Sequence, residues 1–98
     1  MSCKHSLPGR LWVGAAGRTH HEYNIRFRDA PAAGEGVRVA PNTRFEVIGG
    51  PRCAWLGANE LMWWQVRILS GSAAGRVGWF AESGLNANGT MIYNLFPN

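Results

Sequence analysis

The run Met62-Trp63-Trp64-Gln65-Val66-Arg67-Ile68-Leu69 constrains this chain more than any other stretch. It concentrates aromatic and β-branched residues, with no glycine or proline to interrupt a strand. Side chains alternate along a strand, so Trp64, Val66 and Ile68 share one side while Trp63, Gln65 and Arg67 share the other. The first side reads as core. The second sets a large aromatic beside an amide and a guanidinium, which suits a packed rim or a binding surface. A Gly/Ser/Ala turn leads into Arg76-Val77-Gly78-Trp79-Phe80-Ala81, and the two strands form a hairpin.

The remaining segments are shorter and punctuated by turns. Residues 1–10 are an irregular lead-in. Leu11-Trp12-Val13 is expected as a first strand ending at Gly14, with a turn over Ala15-Ala16-Gly17; residues 18 to 23 fit a strand or a loop. Tyr23, Ile25 and Phe27 alternate with Asn24, Arg26 and Arg28, the pattern of a half-buried strand. Residues 29–36 form a Pro/Gly-rich loop. Val37-Arg38-Val39 is a brief strand before Pro41, and Asn42 takes a turn position that favours left-handed backbone. A strand through Phe45 and Val47 is closed by Gly49-Gly50-Pro51. Residues 52–61 are expected as a longer loop, Glu82 to Leu85 as a turn, residues 86–90 as a polar loop, and Met91 to Phe96 as one closing strand. No segment carries a sustained helical period. Six or seven short antiparallel strands point to an all-β barrel or sandwich.

Ninety-eight residues fit one domain, here residues 11–98 behind the lead-in. No apolar run is long enough to insert in a membrane. The formal net charge is +4, but the nine arginines are dispersed and form no nucleic-acid motif. No carboxylate pair, nucleophile elbow or phosphate loop is visible, so the expectation is a protein that is not an enzyme and uses no cofactor. His20 and His21 would point to opposite faces of a strand and could not share a metal. Cys3 and Cys53 lack zinc-site spacing. They are either a disulfide or two unrelated thiols; a bridge would tie a loose tail to a turn, stabilise by about 4 kcal/mol, and imply an oxidising compartment. No apolar leader segment follows Met1, so an exported form would be expected as a mature or excised chain. The Asn88-Gly89-Thr90 triplet is discounted as a chance glycosylation pattern.

The order of an Asn-Ile-Arg strand, a proline loop, a Phe-Glu-Val strand, Trp-Trp-Gln-Val and Gly-Trp resembles the bacterial SH3-like (SH3b) domains over about Tyr23 to Leu85. It is most similar to a secreted, disulfide-containing subgroup. That subgroup adds Arg-Leu-x-Val-Gly (Arg10 to Gly14), Gly-Pro-x-Cys (Gly50 to Cys53) and Gly-Trp-x-Ala-Glu (Gly78 to Glu82). The resemblance implies a small SH3-like barrel with an extra N-terminal strand, a Cys3–Cys53 bridge, and a C-terminal Tyr-x-Leu-x-Pro strand (Tyr93 to Pro97). It also implies a non-catalytic module of the cell envelope, binding a cell-wall peptide, a glycan or a protein partner. Asn42 stands where the family has glycine, and the segment from Arg52 to Met62 is longer than usual.

Trp64 and Trp79 are expected inside, and Tyr23, Trp55 and Trp63 at least partly exposed. With Arg26, Gln65 and Arg67 these three make the candidate ligand-binding surface. Two other readings stand beside it: a structural spacer with no specific ligand, and a stand-alone binder of a small ligand. Edge strands of such barrels can pair between copies, so monomer and dimer both remain open.

Overall fold

The computed structural model describes all 98 residues and contains nine strands and no helix. They are β1 (Ala16–Thr19), β2 (Ile25–Phe27), β3 (Val37–Val39), β4 (Arg44–Leu56), β5 (Asn59–Ile68), β6 (Val77–Ala81), β7 (Ser83–Leu85), β8 (Met91–Tyr93) and β9 (Leu95–Pro97). A five-stranded antiparallel sheet runs β6-β5-β4-β1-β9, and β2-β3 and β7-β8 form separate two-stranded sheets. Hydrogen bonding does not close these sheets into a barrel. The nearest approach is a single bridge at the end of β2, where the Arg28 and Trp79 backbones exchange bonds of 3.0 and 2.7 Å.

The long β4–β5 hairpin is the frame. Its partner pairs run from Phe45↔Ile68 to Leu56↔Asn59, with register shifts between Val47 and Arg52. The expected stop at Gly49-Gly50-Pro51 is therefore a bulge inside one strand, and residues 52–61 are hairpin rather than loop. The local pattern explains this. Cys53 and Trp55 alternate with Ala54 and Leu56, and Gly57 supplies the positive φ of 60° that the tip needs.

One face of this hairpin builds the main core. Met62, Trp64, Val66 and Ile68 of β5 meet Phe45, Val47, Phe80, Ile25, Phe27, Val39 and Leu95, all buried. The rings of Phe27 and Phe45 lie 5.2 and 5.8 Å from Phe80. Gly78 is required here, because a Cβ would fall 2.6 Å from Phe27 Cζ and 2.7 Å from the Arg28 carbonyl.

Several local expectations change. Leu11-Trp12-Val13 is not a strand: Leu11 is buried, but Trp12 and Val13 are exposed on a turn closed by Ala15 N–H donating to the Trp12 carbonyl. The strand begins at Ala16 instead. Gly17 sits within it because a side chain there would strike the Phe45 ring and the Phe96 carbonyl. The expected turn at Glu82 to Leu85 contains β7. The closing strand is split into β8 and β9 at Asn94, whose N–H donates to the Glu82 carbonyl and whose side-chain amide donates to the Ala81 carbonyl. Asn42 does adopt left-handed backbone, φ 59°.

The lead-in lies across the sheet rather than free. Cys3 and Cys53 form a disulfide with Cα atoms 5.5 Å apart. His5 N–H donates to the Glu60 carbonyl, and His5 Nδ1 accepts the Glu60 N–H. Further along, the fully buried Glu82 carboxylate accepts the Trp64 indole N–H at 2.6 Å and the Arg10 backbone N–H at 2.8 Å. A buried carboxylate without such donors would be strongly destabilising. The Arg10 guanidinium lies instead over the Tyr93 ring and donates to the Leu95 carbonyl. The disulfide is consistent with an extracellular or periplasmic protein, and no helix is long and apolar enough to cross a membrane.

Candidate functional site

The second face of the β4–β5 hairpin is only partly covered. Leu61, Trp63 and Ala81 form a small buried cluster, flanked by Ala32, Ala54, Trp79 and Met91. Over this cluster opens a groove of about 320 Å³ between β2, the hairpin tip and β7–β8. It adjoins a second depression of about 410 Å³ between β2–β3 and the β7–β8 connection. Asn24, Ile25, Arg26, Leu85 and Asn94 line both, so the two form one continuous channel. Volumes of this order are those of ligand sites.

Strand alternation decides what enters this channel. Ile25 and Phe27 of β2 turn toward the core, and Arg26 lies between them on the opposite side. Arg26 is paired across the ladder with Arg38 of β3. The Arg26 guanidinium donates to the Glu35 carbonyl at 2.5 Å, and that of Arg28 donates to the Gly34 carbonyl, so both hold the β2–β3 loop. Arg28 also lies 6.0 Å from the Trp63 ring centre. Burial, and then the charge of Arg26, hold the Arg28 pKa below its ordinary value. Arg26, Arg28 and Arg38 all line the channel, and none of the six acidic residues does.

The expected surface is divided among three places. Tyr23, Arg26 and Trp63 belong to the channel. Trp63, expected partly exposed, is 1% exposed: its ring is the packed base of the groove, and its indole N–H donates to the Ala54 carbonyl. Tyr23 is exposed but does not share a face with Ile25, because a bend precedes β2 and sets its ring against His20 at 4.5 Å. In that bend the His20 and His21 rings stack 4.6 Å apart rather than diverging.

Trp55 falls on the opposite face of the hairpin from Trp63. It pairs with Glu60, and its exposed ring meets His5 edge-on at 5.3 Å beside the disulfide-anchored lead-in. Gln65 and Arg67 share the face of Trp63 but lie beyond the channel. Gln65 stands between Gly49 and Trp79, and Arg67 is paired with Glu46 at 2.5 Å. Trp79, expected inside, is half-buried on this same face, with the Arg52 guanidinium 5.7 Å from its ring centre.

Sequence reasoning missed Arg28, Arg38, Leu61, Met91 and Asn94. Arg28 had a signal, since it continues the outward Asn24, Arg26 alternation. Met91 and Asn94 arrive from the far end of the chain and carry no local mark. The only hydroxyls at the lining are those of Tyr23 and Ser83, and Ser83 Oγ is already engaged by Ser6 Oγ at 2.8 Å and the Leu7 N–H at 3.0 Å. No known protein family, curated protein or solved structure matches the chain.

Proposed function

We propose that this chain is a non-catalytic recognition module of SH3-like architecture, acting in an extracellular or periplasmic setting and holding an extended partner in the channel between β2–β3 and β7–β8. The observation that carries this reading is the channel itself: an open trough with apolar walls from Leu61, Leu85 and Met91, and amide groups from Asn24, Asn59 and Asn94 that can pair with a polar backbone. A wall-derived peptide, a glycan or a segment of a protein partner would enter it end-on from either depression. The disulfide and the order of motifs shared with SH3b domains support the compartment and the class. The unclosed sheets fit an opened version of that barrel, with the Arg28–Trp79 bridge at the seam.

The test is an amide-shift titration of the isotope-labelled protein with muropeptide fragments, oligosaccharides and short peptides. Shifts confined to Asn24, Arg26, Leu61, Leu85 and Asn94 are expected for one of the three classes. A spacer with no ligand is the second reading, and the burial of Trp63 favours it, because it removes one of the two indole rings from the expected aromatic surface. A flat response from all three classes would establish that reading instead.

A further inference from the structure

The channel's charge is unbalanced in a way that its shape alone does not require. Three guanidinium groups line it and no carboxylate does. Arg26 and Arg38 face each other across a two-stranded ladder, a like-charge pairing that weakens a sheet unless a counter-charge is supplied. Arginine presents five N–H donors in a planar fork. Each of Arg26 and Arg28 commits one nitrogen to a loop carbonyl, and Arg38 is exposed. Of the nine arginines only Arg67 has a carboxylate partner, Glu46, and Arg10 is spent on Leu95 and Tyr93; what sets the channel apart is that three guanidinium groups converge on one opening. Burial, and after it the neighbouring charge of Arg26, lower the Arg28 pKa.

On these grounds, and resting on the recognition reading above, we propose that the channel takes a peptide by its carboxylate. Arg26 and Arg38, cross-strand neighbours at one end of the trough, grip the anionic group, and Leu61 and Met91 at the other receive aliphatic side chains. A guanidinium fork matches a carboxylate with two parallel bonds. The apolar walls and amide groups favour a peptide over a sugar. A pyranose ring stacks on an open aromatic face, whereas here the Trp63 ring is buried and the exposed Tyr23 ring is taken on one side by His20.

The probes are N-acetyl-Ala-Leu-Ala with a free C-terminal carboxylate and the same peptide as its C-terminal amide, each titrated into the full chain with its disulfide intact. The acid is expected to bind about tenfold more tightly than the amide, with shifts at Arg26 and Arg38. Raising the salt concentration should weaken the acid and spare the amide. Arg38→Gln, which disturbs no buried contact, should lose about fivefold in affinity for the acid and narrow its gap to the amide. Arg26→Gln should do so more strongly. Equal affinity of acid and amide within the channel would overturn the carboxylate assignment while leaving the recognition reading intact. No response to either peptide would overturn the carboxylate assignment, and the recognition reading falls with it when muropeptide fragments and oligosaccharides are silent as well. Displacement of the peptide acid by inorganic phosphate more readily than by acetate would make this a general anion site. Tighter binding of glucuronate than of the peptide acid would replace the peptide with a sugar acid. Either of these last two results also overturns the proposal.

Discussion

Trp63 and Trp64 are adjacent in the chain and equally hidden, at 1% and 3% exposure, yet they belong to different parts of the molecule. Trp64 enters a core of fifteen residues drawn from six of the nine strands and from the lead-in and loops, and its indole N–H meets a buried carboxylate. Trp63 enters a cluster of three, and its indole N–H meets a main-chain carbonyl two strand positions from the tip of the same hairpin. The difference lies in what covers each face. Long-range strands close over the first, whereas the second is roofed only at its edges and keeps a channel beside it. A low exposure therefore does not separate a structural tryptophan from one that forms the base of a site.

Truncating each ring tests that contrast most strongly. Trp64→Ala is expected to cost about 4–5 kcal/mol, because it opens a cavity in the closed core and takes a donor from Glu82. Trp63→Ala is expected nearer to 3 kcal/mol, since its cavity merges with the channel and water can enter it. Denaturant unfolding of the two variants measures the gap, and equal costs would mean that both faces are closed core. Next in size is the disulfide. Replacing Cys3 and Cys53 together by Ser should lower stability by about 2–4 kcal/mol. Hydrogen exchange should quicken at His5 and Arg10, whose amides bond Glu60 and the Glu82 carboxylate on the Trp64 side, and change little at Arg26. Faster exchange spread evenly over both faces would show that the lead-in supports the channel as well. The smallest effect is expected at the rim, where the Arg67–Glu46 pair is about half exposed. Glu46→Gln should change stability by less than about 1 kcal/mol and leave titrations of the channel unaltered; any change in ligand affinity would extend the site along β5.

Much of the all-β plan could be read from local pattern. The alternation of Met62 to Ile68 identified both faces of β5, the Val77 to Ala81 run identified β6, and the turn tolerance of Asn42 matched its backbone. The misread stretches share a cause. Ala16 to Thr19 is a strand because Gly17 lets Phe45 and Phe96 approach, and neither neighbour is local. Residues 52–56 continue β4 past a Gly-Gly-Pro sequence that ordinarily ends a strand, because a bulge absorbs the irregularity. As a loop, residues 52–61 would leave Trp55 free to join Trp63; as strand residues they follow alternation, and that alone puts the two rings on opposite faces. The channel was half legible. Arg26 and Tyr23 stood out, but the walls from β7, β8 and Asn94 depend on tertiary placement that no local period records.

The burial of Glu82 has a consequence for how the molecule is made. Its carboxylate waits for Arg10, 72 positions earlier in the chain, and its carbonyl for Asn94 and Leu95. During vectorial synthesis the start of the lead-in can join Cys53 and Glu60 once the hairpin has emerged, whereas Arg10 has no partner until Glu82 follows. With pairings this distant in sequence, acquisition of the native state is slow compared with that of a helical chain of equal length. Both ends of the chain meet at this one residue: Arg10 docks on the Glu82 carboxylate and Asn94 and Leu95 on its carbonyl, and the fold becomes complete only when both have arrived.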